Sequence, residues 1–284
     1  MPKSAPSRRP QTAASASPRV RRGYFECRYG QLHVHNAIPS GGGFDEGTPL
    51  LCLHPSPLSG RAFRGFLSVA GLGRSVFAPD LPGFGDSDPP PPGAGVAEHA
   101  AAIGDFLDAM RLRQIDLLGH RFGALVAIEL AAMRPALIRR MVLVSLPGTP
   151  EAAGPTAAAA TLQQPSAPAI DGTHLLTEWG RAVAYCGSSA SPEAVTAVLA
   201  ERLRNAPQAA AATAAERSYP VRARLAQLCA PLLLLRLGDE VASNKGRARD
   251  VPARARLVEL RERGASVFES APEAVAQALE PFLR

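Results

Sequence analysis

Gln114-Ile115-Asp116-Leu117-Leu118-Gly119-His120-Arg121-Phe122-Gly123, running on into the apolar segment Ala124 to Met133, is the stretch that decides the fold. A strand-length apolar run leads into a turn flanked by glycines, and a helix-length apolar run follows, ended by Arg134-Pro135. That pattern predicts strand, sharp turn, buried helix. Glycine is needed on both sides because the central residue of such a turn is strained and the neighbouring backbones pass close to it. The geometry is that of a nucleophile elbow, whose central side chain must carry a hydroxyl, thiol or carboxylate to attack an electrophile. Here the centre is Arg121. A guanidinium stays protonated at ordinary pH and offers five donors and no free lone pair.

Further motifs extend outward from the elbow. Pro49 to His54 reads as a strand, followed by Pro55-Ser56-Pro57-Leu58-Ser59-Gly60; Ser75 to Leu81 reads as another, followed by Pro82-Gly83-Phe84-Gly85-Asp86-Ser87. Pro231 to Leu237 with Gly238 reads as a late strand, and Pro272 through Leu283 as a closing helix. In this order the chain resembles the α/β-hydrolase superfamily over nearly everything after its N-terminal tail. The first loop is similar to the family's His-Gly-x-Pro-x-Ser oxyanion loop with Pro55 in place of glycine, and Asp80 to Ser87 matches its D-x-P-G-x-G-x-S turn in full. The resemblance implies an α/β fold: a mostly parallel central sheet flanked by helices, with a helical cap.

The resemblance also locates the catalytic triad. Its nucleophile position is Arg121. Its acid position is Val241, with Asp239 and Glu240 beside it as a shifted acid. Its histidine position, in Gly264-Ala265-Ser266, is Ala265, and no histidine occurs after His174. Serine hydrolysis needs an imidazole to take the hydroxyl proton and return it to the leaving group. The ordinary covalent mechanism is therefore not expected. Backbone N–H groups of Ser56 and Phe122 would form the oxyanion hole, and these depend on the fold rather than on side chains. His54 is a candidate polar group of the pocket, although resembling enzymes also keep a histidine there for structural hydrogen bonding. His120 reads as a packed neighbour more readily than as a replacement base or ligand contact.

The 284 residues suit one globular unit. The formal charge of +6 is misleading, because Lys3, Arg8, Arg9, Arg19, Arg21 and Arg22 sit in an acid-free tail and leave a body with equal numbers of basic and acidic residues. Residues 1–22 are expected to be a disordered basic tail, since Ser, Pro and Arg supply little to pack. The neutral body argues against nucleic acid as a partner, and no segment reads as a membrane span. Four scattered cysteines suit a reducing cytoplasm and packing roles. No cofactor is expected, since neither a phosphate loop nor a dinucleotide fingerprint occurs. His33 and His35 alternate on a strand and share a face, but no third ligand is evident in the sequence, so no metal site is expected and a surface or packing role is assigned.

Residues 23–149 and 230–284 read as the core, opening with a hairpin from Gly23 to Ser40. Residues 150–229, rich in alanine and proline, read as the helical cap, with helix starts at Asp171-Gly172-Thr173 and Ser191-Pro192. Trp179 and Tyr185 either pack this cap onto the core or face a ligand. Arg121 at a helix N-terminus calls for compensation from Asp239, Glu240 or a bound anion. Two functions follow: a protein that binds a small organic molecule, with anionic ones among the candidates, without serine-type hydrolysis, or an unusual hydrolase or lyase with Arg121 as electrophile and His54, Asp239 or Glu240 handling protons.

Overall fold

The structure, a computed structural model, describes residues 18–39, 46–147, 165–187, 190–238, 252–261 and 264–284. Tyr24 to Cys27 and Gln31 to Asn36 are joined by a two-residue turn, so β1 (Arg21–Cys27) and β2 (Gly30–Ala37) pair antiparallel, as the expected leading hairpin. β2 then pairs antiparallel with β4 (Arg74–Pro79). The apolar runs form β3 (Gly47–Leu53), β5 (Ile115–His120), β6 (Ile138–Val144) and β7 (Leu232–Leu237), and the more polar β8 (Arg256–Leu260) closes the edge, all in parallel pairings. The resulting sheet has the order β1-β2-β4-β3-β5-β6-β7-β8. Central parallel strands are covered on both faces, which explains why they read as unbroken apolar runs instead of alternating ones.

One face is covered by α2 (Val96–Ala109) and α3 (Phe122–Met133), the other by α1 (Arg64–Ala70) and α9 (Pro272–Leu283). Each fully buried Leu or Phe in these layers contributes roughly 1.5–3 kcal/mol. Asp116, the one acid in β5, is fully buried and takes Arg74 at 2.8 Å and Arg139 at 2.6 Å. Both guanidinium groups also donate to the Leu283 carbonyl, which fastens the end of α9 beneath the sheet.

Between β6 and β7 lie α4 (Thr173–Cys186), α5 (Pro192–Arg204), α6 (Ala206–Ser218) and α7 (Val221–Gln227), and a short α8 (Val267–Ser270) precedes α9. Both expected helix starts occur. Asp171 accepts from the Thr173 N–H at 3.1 Å, and Ser191 accepts from the Ala194 N–H at 3.3 Å with Pro192 as the first helical residue. The end of this insertion belongs to the core: Tyr219, Val221, Leu225 and Leu228 are buried with α2 and α3. The expected tail also ends earlier than residue 22. Pro18 is buried, Val20 packs against the core and Arg21 begins β1, because an apolar side chain at 20 has sheet to cover. Residues 1–17 and Ala157 to Ala160 lie outside the described residues, and no described helix is long and apolar enough to cross a membrane.

One residue ties the insertion to both functional loops. Buried Asn205 donates to the Pro57 carbonyl at 2.9 Å and accepts from the Gly85 N–H at 2.9 Å. Asn205→Ala leaves a donor and an acceptor without partners and is expected to lower stability by about 1–3 kcal/mol. A thermal melt followed by circular dichroism reads this as a fall of about 2–4 °C per kcal/mol for a chain of this size.

Candidate functional site

The elbow is present with its strain intact. Arg121 has φ 51° and ψ −114°, a conformation that costs a non-glycine residue on the order of 1–3 kcal/mol. Its N–H donates to Val144 at 3.0 Å and its carbonyl accepts from Ala124 at 2.8 Å, so β6 and the first turn of α3 hold it from both sides. The flanking glycines are forced by close approach. A Cβ on Gly119 would lie 2.4 Å from the Gly123 carbonyl oxygen, and one on Gly123 would lie 2.2 Å from that of Leu53. The elbow thus rests directly on the end of β3, beside the loop His54-Pro55-Ser56.

Phe122 opens α3, where the first N–H groups have no intrahelical acceptor. The Ser56 hydroxyl is buried in the facing loop, and among the described residues it has no hydrogen-bond partner. A cation at this helix end is disfavoured by roughly 0.3–1 kcal/mol. The charge of Arg121 is felt by a carboxyl group on α6, that of Glu216. Burial pushes the Glu216 carboxyl up to about 7, while the charges of Arg121 and Arg217 pull it down. Sequence reasoning missed Glu216 because it belongs to no motif. Its only signal was an acid near the end of an alanine-rich helix.

His54 is spent on structure. It is fully buried, its Nε2 accepts from the Leu81 N–H at 2.8 Å, and its Nδ1 lies 3.1 Å from the Pro55 carbonyl. Burial holds its imidazole down to about 4, so it is neutral. With both nitrogens engaged it fastens the loop to the D-x-P-G turn, which corrects its expected place as a proton-handling group. His120 is also fully buried, its ring 5.6 Å from that of Phe268, and burial together with the Arg121 charge keeps it neutral. It packs in the core against Phe268. His99 on α2, not singled out from the sequence, is buried with its ring 5.3 Å from Phe122 and 6.2 Å from Phe84. These rings form the floor beneath the first turn of α3.

Ala265, at the place of the triad histidine, is buried and cannot move a proton. Its neighbours Gly264 and Ser266 border a cavity of about 650 Å³ between the core and α4 and α5, lined also by Leu58, Tyr185 and Glu201. Tyr185 therefore faces a cavity. Trp179 does not line it and is 36% exposed. Arg121 is not among the residues lining that space. Asp239 and Glu240 lie outside the described residues.

A strained elbow, an adjacent oxyanion-type loop and the D-x-P-G-x-G-x-S turn stand at the carboxyl ends of parallel strands. Residues 50–278 match the model of the alpha/beta hydrolase family. A 2-hydroxymuconate semialdehyde hydrolase of Pseudomonas putida is 36% identical over 114 residues, which are 36% of this chain and 38% of that protein. The chain is thus aligned with well under half of that relative's length. A hydrolase from Pseudomonas aeruginosa PA01 is similar at 25% identity and a TM-score of 0.71, over 92% of this chain and 98% of that one. The enol-lactonase from Burkholderia xenovorans LB400 shares the fold at 18% identity and a TM-score of 0.73, over 92% and 99%. With the family model matched across most of its length, and the sheet order and elbow in agreement, the chain belongs to the alpha/beta hydrolase family.

Proposed function

We propose that this protein binds a small organic carboxylate at the elbow without serine-type hydrolysis, the helices α4 to α6 acting as its cap. The observation that carries this reading is Arg121 itself, a guanidinium held at the nucleophile position by a strained backbone at the head of α3. A guanidinium beside helix N–H groups recognises a planar anion through charge-assisted hydrogen bonds. Ala265 supplies no base, and His54 is committed elsewhere. A relative named for a small aldehyde acid, 2-hydroxymuconate semialdehyde, supports this ligand class. The test is titration with a series of short monocarboxylates by calorimetry, with p-nitrophenyl esters and a fluorophosphonate probe alongside. Saturable binding with neither turnover nor labelling is expected; labelling at catalytic speed overturns the reading.

A second reading, a water-activating hydrolase or lyase with Arg121 polarising the substrate, is favoured by Glu216. A carboxyl titrating at about 7 suits general acid–base work near neutral pH. This alternative requires a slow turnover that survives fluorophosphonate and disappears in Arg121→Ala.

Glu216 also gives the binding reading a pH dependence with a definite sign. Above about 7 the carboxyl is ionised and competes with an anionic ligand for Arg121; below it the carboxyl is neutral and the competition ends. Carboxylate affinity is therefore expected to rise as pH falls from 8 to 6. The change is about fivefold, taking about 1 kcal/mol for the solvent-screened interaction of two unit charges. Glu216→Gln should flatten the profile at its low-pH level. A wild-type profile already flat across this range excludes Glu216 from the site.

A further inference from the structure

His33 and His35 are two residues apart on β2, so their side chains share one face of the sheet. β2 runs antiparallel to β4 with Val34 opposite Pro79 and His35 opposite Ala78. That register brings the residue after β4, Asp80, against both imidazoles. His33 Nδ1 lies 2.9 Å from Asp80 Oδ2, and His35 Nε2 lies 3.9 Å from Asp80 Oδ1. One donor atom from each of the three residues lies within 4.8 Å of the others, and all three residues are buried.

The third ligand that the sequence did not reveal is therefore present, and it comes from the D-x-P-G turn. We propose that His33, His35 and Asp80 form a binding site for a divalent first-row transition metal, with Zn²⁺ as its reference ion. Two imidazoles and a carboxylate are a donor set that zinc takes readily, with a fourth position left to water. The His33–Asp80 contact alone is satisfied as a hydrogen bond. The His35 ring packs edge-on to that of His33, and its Nε2 faces the same carboxylate from beyond hydrogen-bonding distance, a gap that an ion with bonds of about 2 Å to each side would span.

The carboxylate has room for such an ion. Among the described residues Asp80 Oδ1, the oxygen that faces His35, accepts only from the Gly60 N–H at 2.7 Å and keeps a lone pair for an ion, while Oδ2 takes the Asp86 N–H at 2.9 Å and the His33 contact that the ion would replace. The two backbone N–H bonds also place the site behind the loop that follows β3 and the turn that follows β4. A metal held there would brace both of the loops that border the elbow, and binding to the native state alone raises thermal stability by mass action.

The test uses the full chain, freed of metal with a chelator and titrated with Zn²⁺ against a chromophoric competitor, and with Co²⁺ followed by its visible absorption. His35→Phe keeps a ring beside His33 and leaves the His33–Asp80 bond in place; His35→Ala is the second variant, and melting without metal checks that each is folded. His174→Ala, on α4 away from the site, controls for binding by other histidines. The expected result is binding of one ion per chain with a higher melting temperature, weakened at least about 100-fold in both His35 variants and unchanged in His174→Ala. Absence of one-to-one binding by the wild type, or a His35→Phe affinity within about threefold of it, overturns the proposal.

Discussion

Arg121→Ala is expected to weaken carboxylate binding by roughly 30-fold to several-thousand-fold while leaving the fold in place. The magnitude is that of truncating one side of a desolvated, hydrogen-bonded charge pair, about 2–5 kcal/mol, with each tenfold in affinity equal to about 1.4 kcal/mol. The fold should survive because the backbone bonds that hold position 121, to Val144 and Ala124, do not involve the side chain. Removing a cation from the head of α3 relieves an unfavourable charge–dipole term. Arg121→Lys separates charge from geometry: it keeps the charge but loses the planar fork, so a bidentate site should recover little of the affinity. Arg121→Ser restores the family's elbow residue without restoring a base, since Ala265 remains. That variant should react with a fluorophosphonate slowly, if at all, and should not turn over p-nitrophenyl esters. Carboxylate affinity unchanged in Arg121→Ala would place the ligand elsewhere, with the 650 Å³ cavity beside Ser266 as the next location to probe.

Much of this architecture was legible in the sequence, for a physical reason. Parallel strands buried on both faces are predominantly apolar, so Leu50 to Leu53, Leu232 to Leu235 and, but for the ion-paired Asp116, Ile115 to Leu118 announced themselves as core strands. The elbow was legible because its glycines answer to steric demands that admit no other residue. What stayed hidden depends on contacts between segments distant in sequence. Glu216 feels the charge of Arg121 only through the tertiary placement of α6, and an acid in an alanine-rich helix carries no local mark of that. Asp80 was read as part of a turn, whereas its pairing with His33 and His35 follows from the register of β2 on β4. His54 was legible by position, and its use only as a choice between a pocket group and a structural hydrogen-bonding one. Only the Leu81 N–H directed at its Nε2 shows that it fastens two loops together.

The second large effect concerns Gly123, and it is sharpened by a matched control. Gly123→Ala adds one methyl group whose carbon would sit 2.2 Å from the Leu53 carbonyl oxygen and 2.6 Å from that of His54. Both obstacles are backbone, so no side-chain rotation relieves the clash; either α3 shifts off β3 or the end of β3 moves. In a close-packed layer such a shift opens voids elsewhere. The expected loss is about 3 kcal/mol or more, within the range that overpacking and backbone distortion produce. It should appear as a fall in melting temperature of roughly 6–12 °C, or as failure to accumulate folded protein. Gly180→Ala makes the same chemical change in the middle of α4, where a Cβ meets nothing within 4 Å. There the extra methyl restricts the unfolded chain and favours the helix, so stability should rise by about 0.4–1 kcal/mol. Opposite signs for one substitution type at two glycines would show that close contact between the elbow and β3 governs the outcome. Equal, small effects at both positions would mean that α3 does not sit on β3 as tightly as described, and the placement of Arg121 beside the Ser56 loop would fall with it.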